Sequence, residues 1–287
     1  MSGKTTTPAE LKRHRKLAER AGRLATPKGD VKRQKFKIGK MRCEEITPFF
    51  AHNPGYVILY CHGGGYVSGG LDYAGNLAVK LAMATGFTTF SFEYRLAPEY
   101  PYPAAAEDAD IMWEYITENV KDAGHVLLAG DSAGGNMALC LTQRLVAAGK
   151  PVPRELLLFS PWTDMTETAQ SYEDNKDADP ILNREYVMES AKAYMGEGNL
   201  NPEDPVFSPL FGSFKNFPPV YIMAGKNGIL LDDGIRLKEK IEKEGGRALI
   251  DIEEKGWHVY QQMPVAMAKE AMKRLAEHVS LEIYGKQ

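Results

Sequence analysis

Gly130-Asp131-Ser132-Ala133-Gly134 has the pattern G-x-S-x-G, directly after an apolar run at 125–129 and before a stretch of helical composition. On a strand, turn and helix of this kind the glycines allow a strained turn that lifts the serine hydroxyl into a cleft. The helix N-terminus and the Ala133 amide behind it favour developing negative charge. His62-Gly63-Gly64-Gly65 follows another apolar run, at 56–61, and its glycines let backbone amides approach a substrate oxygen with no side chain in the way. A flexible turn would explain the glycines, but not their occurrence beside a nucleophile elbow. Together the two motifs imply acyl transfer through Ser132. Its base is expected beyond the last strand, where His258 stands in Gly256-Trp257-His258-Val259-Tyr260. His14, His52 and His278 fall in exposed or edge contexts, His125 begins a strand and His62 belongs to the glycine loop.

These residues need a scaffold of strands that end where they begin. Short β-rich runs at 56–61, 87–94, 125–129, 155–159, 220–224 and 248–252 are mostly separated by helical segments. Near-continuous apolar strands alternating with helices imply a mostly parallel sheet covered on both faces, an α/β core. Phe36, Ile38 and Met41 alternate as an edge strand would. Before them, Thr7-Pro8-Ala9-Glu10 predicts a capped helix start, with Leu11, Leu17, Ala18, Ala21 and Leu24 as a narrow apolar stripe. Residues 164–216, rich in Asp, Glu, Asn and Pro, exceed an ordinary connection and predict an inserted lid, with a helix over 183–195.

Composition narrows the classes. At 287 residues, 44% hydrophobic and 25% charged, the chain is an ordinary globular protein with a sizeable core, and no apolar run reaches the roughly 18 residues of a membrane span. The polar segment Ser2–Thr7 lacks the apolar centre of a secretory leader, which predicts a cytoplasmic protein. Cys43, Cys61 and Cys140 are too scattered for a disulfide framework or a metal site. The net charge of −3 hides 14 Lys/Arg against 5 Asp/Glu in residues 1–45. That excess is read as a helix docking on an acidic body rather than as a nucleic-acid site, since Phe36 alone among phenylalanine, tyrosine and tryptophan interleaves it.

His62-Gly63-Gly64-Gly65-Tyr66, Tyr94-Arg95-Leu96-Ala97-Pro98-Glu99, Pro103 followed by Asp108, Gly130-Asp131-Ser132-Ala133-Gly134-Gly135 and Ser160-Pro161-Trp162 occur in order. In these motifs the chain resembles the hormone-sensitive-lipase-like (family IV) carboxylesterases of the α/β-hydrolase fold over roughly residues 45–280. The resemblance implies an eight-stranded sheet, an N-terminal cap arm at 1–45, a core at 46–287 with the cap insertion at 164–216, and no cofactor or metal. It implies Ser132 as nucleophile, His258 as base and the amides of Gly64, Gly65 and Ala133 as the oxyanion hole. A small-molecule ester with a short acyl chain is the implied substrate, and the strand near 248–252 is the edge that would pair in a homodimer.

The third triad member departs from the pattern. The family places Asp or Glu after the seventh strand, and the matching segment here reads Gly225-Lys226-Asn227-Gly228-Ile229-Leu230-Leu231-Asp232-Asp233, with Gly228 at the acid position. Asp232 is the substitute nearest in sequence, although a turn of helix separates it from the loop tip. The expectation is therefore an impaired serine carboxylesterase. The alternatives are a weak or inactive ligand-binding member of the family, and an amidase or acyltransferase using the same residues. Asp131, Glu99, Asp108 and Asp164 read as loop-fixing acids with Arg95 as a partner, and Tyr66, Trp162, Phe207, Leu210 and Trp257 as pocket walls.

Overall fold

The computed structural model describes residues 8–50, 55–198 and 200–285, so Ser2–Thr7, including the expected Thr7 cap, and His52 lie outside the described residues. The chain runs α1 (Pro8–Ala25), β1 (Val31–Ile38), β2 (Met41–Pro48), β3 (Val57–Cys61), α2 (Leu71–Thr85), β4 (Thr88–Phe92), α3 (Ala104–Asn119), β5 (Val126–Asp131), α4 (Ala133–Ala147) and β6 (Glu155–Phe159). Then follow α5 (Ser171–Asp174), α6 (Arg184–Met195), β7 (Val220–Gly225), α7 (Leu231–Lys243), β8 (Ala248–Glu253) and α8 (Ala266–Tyr284). One eight-stranded sheet has the order β1-β2-β4-β3-β5-β6-β7-β8, antiparallel between β1, β2 and β4 and parallel from there on.

Strand periodicity sorts the core into two layers. Leu59, Leu128, Leu158 and Ile222 face Met112 of α3, Leu139 of α4 and Leu237 of α7. Their neighbours Ile58, Leu127, Leu157 and Tyr221 face Leu77 of α2 and Leu275 of α8. Every residue of β3, β5, β6 and β7 is buried, which is why these runs carry no polar alternation. The carboxyl ends of β3, β5 and β7 lead directly into the glycine loop, the serine turn and the loop of Gly228.

Two readings of the N-terminal arm need correction. Residues 31–45 are not cap: β1 and β2 form a hairpin of the core sheet, paired from Val31 with Pro48 to Ile38 with Met41. The alternation of Phe36, Ile38 and Met41 marks an edge strand there but not the full hairpin, because polar residues within it are paired, Glu44 being buried against Arg33 at 2.6 Å. The docked face of α1 is also not the leucine stripe, since Leu17 and Leu24 are exposed. It runs through Leu11, His14, Arg15, Ala18, Glu19 and Gly22, at helical spacing. Among the described residues no helix is long and apolar enough to cross a membrane.

Candidate active site

The sequence G-x-S-x-G becomes a turn between β5 and α4 with Ser132 at φ 53° and ψ −119°, a conformation that costs a non-glycine residue energy. The surroundings over-determine it. The Ser132 amide donates to the Phe159 carbonyl at 2.9 Å, and its carbonyl accepts from Asn136 and Trp162, each at 3.1 Å. Gly134 must be glycine because a Cβ there would lie 2.0 Å from the Cys61 carbonyl oxygen. That close approach brings the start of α4 against the end of β3, beside the glycine loop.

Asp131, the residue before the nucleophile, ties the turn to that loop. Its carboxylate accepts from the Tyr60 hydroxyl at 2.5 Å, the Gly63 amide at 2.7 Å, Gln262 Nε2 at 3.0 Å and the Tyr73 hydroxyl at 3.3 Å. Complete burial pushes its carboxyl up to about 6 against these donors, which favour the charged form. The next peptide is oriented from the other side: the Gly64 carbonyl accepts from Val67, Ser68 and Tyr186. Across a trans peptide N–H and C=O point opposite ways, so the Gly65 amide is turned away from those partners. No loop or turn hydrogen bond among the described residues uses the amides of Gly64, Gly65 or Ala133. These three donors are available to an oxyanion.

His258 lies in the loop after β8. Its neighbour Val259, at φ 46°, donates its amide to Ser160 Oγ at 3.2 Å, and the following turn is held to α2 by Asn76 and Lys80 through the carbonyls of Gln262 and Gln261. The imidazole is buried, which lowers its proton affinity, while the Asp179 carboxylate raises it. Its Nδ1 is buried with no hydrogen-bond partner among the described residues. The loop of Gly228 faces it: a Cβ on Gly228 would stand 3.2 Å from the His258 amide nitrogen and 3.5 Å from its Cα.

Ser132, His258, Gly64 and Gly65 line one cavity of about 180 Å³, with Trp162 and Leu230 on its core side. Its other walls are His14 and Ala18 of α1 and Tyr186, Val187 and Ser190 of α6. The sequence did not single out His14, Ala18, Tyr186 or Ser190. The available signal was spacing, since His14 and Ala18 lie one turn apart on α1 and Tyr186 and Ser190 one turn apart on α6. The α1 wall is pinned by Arg15, which donates to the carbonyls of Val67 and Ala97 and pairs with Glu99, and by Glu19, which accepts from the Asp72 and Tyr73 amides at the start of α2. Of the expected pocket walls only Trp162 lines this cavity; Tyr66 instead stacks on Tyr194 at 3.7 Å, and Phe207 and Leu210 are core.

The expectation that Asp232 substitutes for the acid is corrected here. Its Oδ2 accepts from the Ser171 amide at 2.9 Å, and it makes no hydrogen bond to His258. Asp233 is turned to the amides of Thr163 and Asp164. Asp108 holds the Arg95 backbone and guanidinium, and Asp164 pairs with Arg236.

Comparison with known proteins places this geometry. A family described as the alpha/beta hydrolase fold matches residues 58–262. An acetyl-hydrolase of Streptomyces hygroscopicus is 33% identical over 227 residues, 79% of this chain and 73% of that protein. An esterase of Acinetobacter venetianus is 30% identical over 266 residues, 92% of this chain and 86% of that protein. The crystal structure of an esterase from the bacterial hormone-sensitive lipase family superposes with a TM-score of 0.89 at 31% identity, covering 95% of this chain and 92% of that one.

Proposed function

This chain belongs to the hormone-sensitive-lipase-like branch of the alpha/beta hydrolase fold, and on that premise we propose that it is a serine carboxylesterase for short-chain acyl esters, slowed by glycine at position 228. The observation that carries the reading is the shared cavity: Ser132, held at positive φ, lines it together with His258 and the glycine loop. In the proposed reaction Ser132 Oγ attacks the ester carbonyl carbon while His258 Nε2 takes the hydroxyl proton. The carbonyl oxygen becomes an oxyanion facing the amides of Gly64, Gly65 and Ala133. His258 returns the proton to the leaving alkoxide, giving an acyl-enzyme and an alcohol. Water, deprotonated by the same imidazole, then releases the carboxylic acid.

The small volume of the cavity supports short acyl groups, and α1 and α6 serve as the cap that sets this limit. One observation favours a second reading, a weak or inactive ligand-binding member: His258 Nδ1 has no acceptor to hold the productive tautomer. Turnover of p-nitrophenyl acetate, butyrate and decanoate with fluorophosphonate labelling tests both. The esterase reading expects activity falling with acyl length and labelling at Ser132 that Ser132→Ala abolishes, together with a loss of up to about 10⁶ in kcat. Labelling of Ser132→Ala at another serine would overturn it, and stoichiometric binding without turnover would favour the second reading.

A further inference from the structure

Near the corner where a triad acid would stand, the fold brings in a carboxylate from another segment. Asp179 lies between α5 and α6 and is buried, 8% exposed. Three backbone amides fix it: Oδ1 accepts from Ile181 at 3.0 Å and Leu182 at 3.1 Å, and Oδ2 accepts from Ile229 at 3.1 Å. Ile229 directly follows Gly228, whose Cα carries its hydrogens toward the His258 backbone. Asn175, from the same segment as Asp179, donates to the carbonyls of Lys226 and Gly228 at 2.9 Å each. The stretch from Asn175 to Asp179 is therefore clamped along the acid loop.

Other charged groups around this corner are engaged elsewhere. Asp232 and Asp233 hold the amides of Ser171, Thr163 and Asp164. Lys226 pairs with Glu254, Glu253 with Arg274, and Asp131 serves the glycine loop. His14 faces the cavity from α1, where partial burial lowers its proton affinity. The charge that acts on His258 is that of Asp179, in opposition to burial.

We propose that Asp179 is a positioning residue for His258, supplying across the Gly228 loop the negative charge that glycine cannot. This rests on the assignment of Ser132 and His258 as nucleophile and base. When the Ser132 proton moves to Nε2, the imidazolium forms near the fixed Asp179 carboxylate, which makes no hydrogen bond to Nδ1. Part of the electrostatic role of a triad acid is kept, and its tautomer-fixing role is not. A charge at such range in a buried site is worth about a factor of ten in turnover.

The test compares the parent, Asp179→Asn, Gly228→Glu and the double variant by kcat and KM across pH. The NMR titration of His258, assigned by its loss in His258→Gln, is recorded for each. Asp179→Asn is expected to lower kcat about tenfold with KM changed less than about twofold. The His258 titration should move to lower pH, because removing a nearby carboxylate disfavours the imidazolium. The same substitution in the Gly228→Glu background should cost less than about threefold, since the new carboxylate then dominates. Equal losses in both backgrounds, or an unmoved His258 titration, would overturn the proposal. Should Asp179→Asn fail to fold, Asp179→Ser removes the charge while keeping an oxygen that can accept from the same amides, and an unmoved titration there overturns the proposal equally. A parent that neither turns over esters nor is labelled at Ser132 refutes the esterase reading alone, and the titration still decides the action of Asp179.

Discussion

Two corners of one cavity are built to different standards. At the serine corner Asp131 collects four donors, Ser132 is fixed through both its amide and its carbonyl, and the Gly64 carbonyl is taken by three partners. At the acid corner the loop is equally well tied through its backbone, by Asn175 and Asp179, yet no side chain among the described residues hydrogen-bonds to His258 Nδ1. Under the proposed mechanism the donors for an oxyanion are thus preorganised, whereas the group that would orient the base is reduced to a charge at a distance. In serine hydrolases the oxyanion site and substrate binding retain roughly 10³ to 10⁴ of rate enhancement without a working triad. A chain with this asymmetry is expected to acylate slowly rather than not at all.

The sharpest way to break the contrast is to equalise the corners. Gly228→Glu fits if the loop gives by a few tenths of an ångström, because the added Cβ meets the His258 amide nitrogen at 3.2 Å and the position does not require positive φ. It is expected to raise kcat for p-nitrophenyl acetate by about 10² to 10⁴ with little change in KM, the new interaction being strongest in the transition state. The acid limb of kcat/KM should move to higher pH. Burial holds the imidazole neutral to low pH in the parent, and an adjacent carboxylate favours the imidazolium, so deprotonation then needs a higher pH. Unchanged kcat in a folded Gly228→Glu protein would mean that the acid corner does not limit turnover.

Asp131→Asn probes the better-built corner. The amide would present N–H donors to groups that already donate, so a loss of about 1 to 3 kcal/mol in unfolding free energy is expected from denaturant titration, with slower Ser132 labelling as the Gly63 loop loosens. A loss confined to stability, with labelling unchanged, would separate the loop from the oxyanion site. The smallest effect belongs to the cap. Arg15→Ala removes a half-exposed ion pair and two carbonyl contacts, for which a drop in Tm of a few degrees is expected, about 1 kcal/mol or less, with a rise in KM for butyrate above that for acetate. Equal KM changes for both esters would show that α1 does not contact the acyl chain.

How much of this was readable from sequence depended on whether the determinants were contiguous. The serine turn, the glycine loop and the missing acid each occupy fewer than ten residues, so their local chemistry announces them. Four of the parallel strands, β3, β5, β6 and β7, were visible because burial on both faces makes them nearly continuous apolar runs. What stayed hidden was assembled across distance. Asp179 reaches Ile229 over 50 residues, Tyr186 reaches Gly64 over 122, and Arg15 reaches Glu99 over 84. The arm misled for a related reason: its docked face is carried largely by Arg15 and Glu19, which look solvated in a hydropathy pattern, while Leu17 and Leu24 are exposed. Arg33 and Glu44 concealed the hairpin in the same way.

The cavity wall drawn from both His14 and His258 also sets an order of events during synthesis. The helix that carries His14 leaves the ribosome well before the loop of His258. At typical elongation rates about 10 to 50 s separate them. From its own synthesis until that loop follows, Ser132 has no base, and α2, on which α1 docks, still lacks its partners Gln261 and Gln262. A nascent chain that ends before His258 therefore carries the serine turn and the glycine loop without the imidazole, and without the core residues of α8 that pack on α2.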